Sequence, residues 1–284
     1  MAQSKQQIQS ILNASGSTGP RHRFGQNFMI DQNLVRLVAD AAAPVAGDLV
    51  VEVGPGTGTL TEELLGSGAD VVAVEIDRDL AAALREKFAG QSRFTLIEGD
   101  ALAGKHQLNA ELAARLHDAA NRGAKSKLIA NLPYNIASPL VVDLLIAGVA
   151  VLAFTVQREV ADRLRAKQGT GDYGPLTVIV QLLSRVELLR TLPPQAFWPQ
   201  PRIDSALVRL TRDDRLGDKA APFGAFVQKL FAARRKTLRK ALTLAGYQHA
   251  EALLAAVEID GGLRPEVLAP EKLLALFDRA AAQT

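Results

Sequence analysis

Between Asp48 and Ile129 the chain alternates short β-branched runs with helical stretches, and no other feature narrows its fold as far. LVVEV (49–53), DVVAVEI (70–76), RFTLI (93–97) and KLIA (127–130) read as strands, with LTEELLG and RDLAAALREKFA as helices between them. Strands joined through helices run parallel and are covered on both faces, so the expected class is α/β. The pattern continues with SPLVVDLLIAG as a helix, VAVLAFTVQ as a strand, REVADRLRAK and LTVIVQLLSR as helices, and VELLRTL and SALVRLTR as late strands. After about Arg215 only helical patterns follow, which predicts a small all-α domain. The expected division is a disordered extension over 1–22, an α/β domain over 23–214 and a helical domain over 215–284, with TRDDRLGDKAAP as the link.

A chain of 284 residues with 48% hydrophobic content can bury a real core. No apolar run reaches the roughly 18 residues that a membrane span needs, and MAQSKQQIQS lacks the apolar stretch of a signal peptide. A soluble, cytoplasmic protein is expected. The absence of cysteine removes thiolate nucleophiles and cysteine-based zinc sites, and the four histidines are scattered, so no metal is expected. The net charge of +3 says little about partners, but Lys229 to Lys240 carries six basic residues and no acidic one. Folded as a helix, that segment is either an anion-binding surface or a solvated face.

VVEVGPGTG leaves the first of these strands through Gly54, Gly56 and Gly58, towards a helix expected to begin near Thr59 or Leu60. Glycines there let the backbone turn sharply and let a ligand approach beside a helix N-terminus. Alone, such a turn says little. Glu75 strengthens it, because a carboxylate about 20 residues on, at the end of the second strand, can accept both hydroxyls of a ribose. Together they point to a nucleoside-containing cofactor. A dinucleotide fold would use GxGxxG, whereas the spacing here is GPGTG with Glu52 just before it. ExGxGxG resembles the S-adenosylmethionine (SAM) methyltransferase pattern. In that resemblance Asp100, in EGDAL at the end of the third strand, stands where a carboxylate accepts the exocyclic amine of the cofactor's adenine; read singly, it is an ordinary loop carboxylate.

NLPYNIASP (131–139) follows the fourth strand, where ligands of open α/β sheets bind. Moving a methyl group from a sulfonium to an adenine amine requires an in-line lone pair that the purine ring delocalises. The amide oxygen of Asn131 and the carbonyl of Leu132 can accept the two N–H bonds, aim that lone pair and favour positive charge developing on nitrogen. Pro133 fixes the turn, and no strong base is needed, since the methylated ammonium loses its proton to water. Tyr134 offers a face to a base extruded from its stack, worth roughly 1 to 3 kcal/mol. The bland alternative is a strand-ending turn with a core tyrosine.

GQNFMID, VVEVGPGTGTLT, VEID, GDAL, NLPYNIASP, QREVADR, FWPQPRIDSALVRL and FAARRKTLRKAL, in order from about Arg23 to Leu242, resemble the ribosomal RNA adenine dimethyltransferase family, and most its bacterial small-subunit branch. The resemblance implies a Rossmann-like class I SAM-dependent methyltransferase domain and a small helical domain. It implies SAM as donor, S-adenosyl-L-homocysteine as product, and dimethylation of two adjacent adenines in the 3′-terminal hairpin loop of small-subunit (16S) rRNA. Cofactor contacts fall to Asn27, Met29, Gly54, Glu75, Asp100 and Asn131, with Gln26 and Phe28 closing a lid. Phe197, in FWPQP, becomes the second aromatic opposite Tyr134; from the residues alone it reads as core. Arg234, Arg235, Lys236 and Arg239 become RNA contacts, whose phosphate interactions weaken with salt.

Met29 stands where the family usually has leucine, a volume-conserving change. The insert-like segment 105–125, KHQLNAELAARLHDAANRGAK, reads as a surface helix, with RNA contact as the alternative. The expected partner is small-subunit rRNA within an immature small ribosomal particle, met by a monomer away from any membrane. Two rivals stand beside this reading: a large-subunit rRNA dimethyltransferase and a non-catalytic assembly or RNA-binding factor on the same fold. IASPLVVDLL and FAARRKTLRKAL favour the small-subunit branch, and Glu75, Asp100 and NLPY argue for catalysis. A DNA adenine enzyme is the weakest alternative, since such sites resemble Asp-Pro-Pro-Tyr.

Overall fold

The computed structural model of the chain describes residues 3–17, 19–21, 24–104, 107–213 and 215–282. His22 and Arg23 at the expected start of the motif-bearing region, Lys105 and His106 of the insert, and Asp214 at the expected boundary lie outside the described residues. Two compact units emerge: Met1–Ala161 with Glu187–Arg212, and Asp162–Val186 with Asp213–Thr284.

The first unit opens with α1 (Lys5–Ala14), β1 (Phe28–Met29), α2 (Gln32–Asp40), β2 (Leu49–Val53), α3 (Thr59–Gly66), β3 (Asp70–Glu75), α4 (Arg78–Lys87) and β4 (Phe94–Glu98). It continues through the short β5 (Leu102–Gly104) and β6 (Gln107–Leu108), α5 (Ala110–Asn121), β7 (Ser126–Asn131), α6 (Ala137–Ile146) and β8 (Val151–Gln157). α7 (Arg158–Leu164) leads into the second unit, α8 (Pro175–Leu183) lies in it, and β9 (Ser184–Leu192), β10 (Phe197–Trp198) and β11 (Ser205–Arg212) return to the first.

Among the described residues the main sheet has seven strands in the order β4-β3-β2-β7-β8-β11-β9. The parallel pairs β2–β3, β3–β4, β2–β7 and β7–β8 are those the strand–helix alternation requires, and β11 adds antiparallel to β8. Helices on both faces explain why LVVEV is buried throughout and shows no alternation. From β2 the chain runs outward to β3 and β4, then returns to β7 on the other side of β2. That reversal opens a crevice beyond the carboxyl ends of β2 and β7, which are followed by Gly54 and closed by Asn131 respectively.

The N-terminal extension, expected to be disordered, instead forms α1. Ser4 and Gln7 make a reciprocal capping box, and Ile8 and Leu12, one turn apart, are buried with Phe28 and Leu80. The insert forms a helix as expected: Asn109 caps α5, which buries Leu112 and Leu116.

In the second unit α8 packs with α9 (Ala220–Ala232) and α12 (Pro270–Ala281), while α10 (Leu238–Leu244) and α11 (Ala250–Ala256) complete the helical set. Its core includes Phe277 in ring contact with both Phe223 and Phe226. The unit takes in 162–186 as well as the expected C-terminal helices, because PLTVIVQLL buries Val178, Ile179, Val180, Leu182 and Leu183. The basic segment is not one helix. Arg234, Arg235 and Lys236 lie in the turn between α9 and α10, where Thr237 accepts the Lys240 N–H and starts a new helix. Arg239, within α10, pairs with Glu251 at 3.0 Å. Among the described residues no helix is long and apolar enough to cross a membrane.

Candidate active site

The chain leaves β2 on three left-handed glycines, two of which, Gly54 and Gly56, line the site. A Cβ on Gly56 (φ 59°) would stand 2.9 Å from Phe28, and one on Gly54 (φ 73°) would stand 3.2 Å from Pro133. The loop therefore passes beneath β1 and beside the NLPY turn with no room for a side chain. Between these segments and the end of β3 lies a cavity of about 230 Å³, walled by Asn27, Met29, Gly54, Glu75, Asp100 and Asn131 among others. The six residues assigned to a cofactor by resemblance thus share one cavity, and Gln26 and Phe28 line it too.

Glu75 is anchored by the N–H groups of Gly56 (3.2 Å) and Asp77 (2.9 Å), one on each carboxylate oxygen. Burial pushes it up to about 7 despite those bonds. Asp77, itself buried, caps α4 and accepts from Arg21 (2.6 Å) and from Gln26 (2.9 Å), while Arg21 also pairs with Asp79. The strap leading to Asn27 and Phe28 is thereby latched two residues beyond Glu75. Asp100 is exposed, and its Oδ1 accepts from the Leu102 N–H at 3.0 Å. Glu52, not assigned a role from the sequence, also lines the cavity; it accepts from the Thr61 hydroxyl at 2.6 Å, and burial pushes it up to about 8. Its position in the ExGxGxG run is the signal that could have found it.

Asn131 is held at both ends. Its Nδ2 donates to the Asn27 carbonyl at 2.6 Å, and its Oδ1 accepts from the Thr155 hydroxyl. Since a carbonyl can only accept, Asn27 fixes which amide atom is which. Leu132 and Tyr134 follow it in the chain but lie outside the cavity wall: Leu132 is buried, and the half-buried Tyr134 sets its hydroxyl 3.0 Å from Ser205 Oγ. Burial raises the tyrosine pKa, so the ring stays neutral.

Phe197 departs from its expected place. It is 1% exposed, pairs across β10 with Met29 of β1 and belongs to the core cluster that includes Ile129 and Leu207, so its ring presents no free face to a base. Adjacent strand residues point to opposite faces, and burying Phe197 turns Trp198 to the other face, where it is partly buried and stacks on Phe28 at 6.3 Å. Arg234, Arg235, Lys236 and Arg239 belong to the second unit, where all but the half-buried Arg234 are exposed.

The sequence model of the family described as ribosomal RNA adenine dimethylase matches residues 18–282. Ribosomal RNA small subunit methyltransferase A of Anaeromyxobacter dehalogenans is 44% identical over 90% of this chain and 92% of its own length. The protein of the same name from Chromohalobacter salexigens is 38% identical over 92% of this chain and 91% of its own length. Among solved structures, the 23S rRNA methyltransferase ErmE is 28% identical, covers 89% of this chain and 99% of its own, and superposes with a TM-score of 0.59.

Proposed function

The chain belongs to the ribosomal RNA adenine dimethylase family, and from that premise we propose that it dimethylates two adjacent adenines in the 3′-terminal hairpin loop of small-subunit rRNA, using SAM. The observation that carries this reading is the convergence of Glu75, Asp100 and Asn131 on one cavity at the switch point of the sheet. The glycine cradle suits a nucleoside donor, because the space that side chains would fill at Gly54 and Gly56 is kept narrow between Phe28 and Pro133.

SAM supplies an electrophilic methyl group on a sulfonium whose thioether is the leaving group. The chain's own residues bind and orient. Glu75 accepts the ribose hydroxyls with the lone pairs its backbone bonds leave over, and Asp100 accepts the adenine amine of the donor. Asn27, Met29 and Gly54 close around it. Asn131 Oδ1 has one lone pair beyond the Thr155 bond, and with the Leu132 carbonyl it holds the target amine in line. Tyr134 carries the extruded base, its ring steadied through Ser205. Phe197 supports the β1–β10 ribbon from the core. Arg234, Arg235, Lys236 and Arg239 contact phosphates. The enzyme acts in the cytoplasm, as a monomer, on an immature small ribosomal particle.

The test incubates the protein with tritiated SAM and small ribosomal particles from a strain lacking this modification, then maps the product by mass spectrometry. Dimethyladenosine at two adjacent adenines near the 3′ end of small-subunit RNA is the expected result. The likeness to ErmE keeps a large-subunit substrate as the second reading, and label found only on large-subunit RNA would select it. Tight particle binding without label would favour a non-catalytic assembly factor.

A further inference from the structure

We infer that Thr155 is a positioning residue for methyl transfer, acting through Asn131; the inference rests on the role proposed for that asparagine. Thr155 sits in β8 directly across from Asn131 in the parallel β7–β8 register, so the two side chains share one face of the sheet. It is fully buried, and its hydroxyl donates to Asn131 Oδ1. In a strand otherwise made of Val, Leu, Ala, Phe and Gln, this is the one hydroxyl, and a buried hydroxyl needs a partner.

The direction of that bond is forced. The Asn27 carbonyl takes an N–H from Nδ2, which leaves Oδ1 facing Thr155, and the threonine must then donate. Reversing the amide would set Oδ1 against the Asn27 carbonyl, two acceptors in contact. Asn27 alone would hold the amide at one point and let it swing about that bond. With Thr155 as the second point, the remaining lone pair of Oδ1 has a single direction, and it is this lone pair that receives the target amine. A small misplacement of such an acceptor costs on the order of 100-fold in rate.

The two methylations load this clamp unequally. The unmodified amine offers two N–H bonds to the two acceptors, Asn131 Oδ1 and the Leu132 carbonyl, whereas the monomethylated amine offers one. A loosened Asn131 therefore slows the second transfer more than the first, and monomethyladenosine accumulates.

Thr155→Val keeps the shape and the β-branch and removes only the hydroxyl; Thr155→Ser keeps the hydroxyl. Both are assayed beside Asn131→Ala with tritiated SAM and unmethylated small ribosomal particles, with melting temperature recorded. The expected result for Thr155→Val is a kcat lowered roughly tenfold or more, unchanged KM for SAM and particle, an unchanged melt and a raised ratio of mono- to dimethyladenosine, with Thr155→Ser restoring both rate and ratio. Wild-type rate and ratio in Thr155→Val, alongside an inactive Asn131→Ala, would overturn the role of Thr155 and leave that of Asn131 standing. Equal losses in the Val and Ser variants with lowered melts would also overturn it, as a packing effect. Near-normal methylation by Asn131→Ala would remove the underlying reading itself.

Discussion

Replacing Asn131 by alanine takes away an acceptor without touching the basic residues proposed to meet phosphates, so turnover should fall by roughly 100-fold or more while particle binding stays within a fewfold. Single-turnover methylation beside a filter-binding curve checks both halves. Glu52 separates differently. Burial pushes its pKa to about 8, so at neutral pH it is mostly the neutral acid, and Glu52→Gln is nearly isosteric and isoelectronic with it. That variant should melt close to the wild type, whereas Glu52→Ala strands the Thr61 hydroxyl and opens a void, at a cost of about 2 to 4 kcal/mol. Denaturant unfolding of the pair decides it, and a large loss in Glu52→Gln would mean that the charged form is the native one. Single residues are legible from sequence where a strand end names them. Gly54, Glu75, Asp100 and Asn131 follow or close successive parallel strands, and the parallel order carries such ends to one edge. Thr155 and Thr61 are not legible, because their meaning lies in which strand or helix turn stands opposite, a fact of register rather than of composition.

At the scale of elements, α1 escapes a reading of the sequence although its signal is present. SKQQ holds the Ser4–Gln7 capping box, and Ile8 and Leu12 are spaced one turn apart, but so short an apolar stripe in a polar run looks insufficient until Phe28 and Leu80 are seen to receive it. Ile8→Ala with Leu12→Ala should lower stability by about 4 kcal/mol in all and the melting temperature by roughly 10 °C. Because Phe28 lines the cavity proposed for SAM, the affinity for SAM should drop with it, which isothermal titration measures; a melt equal to wild type would show that α1 does not dock. The basic stretch fails the opposite way: its charges suggest a continuous face, yet Thr237 is a helix start and breaks it. A turn can still meet phosphates. Charge reversal at Arg234 and Arg235 should reduce the salt slope of RNA binding by about 1.4 to 1.8, and an unchanged slope would return these residues to the solvated surface.

For the whole molecule, the two raised carboxyls set a pH dependence opposite to that of an ordinary salt-bridged acid. Glu75 and Glu52 rise from 4.5 to about 7 and about 8 in the folded protein. Across that window the folded chain keeps protons which the unfolded chain has released, so raising the pH draws the equilibrium towards unfolding. Their contribution is fully present below about pH 4.5, declines above it and is gone once pH passes about 8. In the proposed function the bound donor acts in the other direction: ribose hydroxyls on Glu75 would favour its ionised form, and binding would release its proton. SAM affinity should therefore rise roughly tenfold from pH 6 to pH 8 and then level off, while the protein without SAM melts lower over the same range. The increase in melting temperature on adding saturating SAM should then be larger at pH 8 than at pH 6, since ligand stabilisation grows with the ratio of concentration to Kd. Glu75→Gln cannot release a proton, and in it the affinity should be weak and flat with pH. Titration calorimetry at the two pH values, in buffers of different ionisation enthalpy, counts the proton directly. A proton released by the wild type and none by the variant would assign it to Glu75, whereas the same release from both would move the linkage to Glu52.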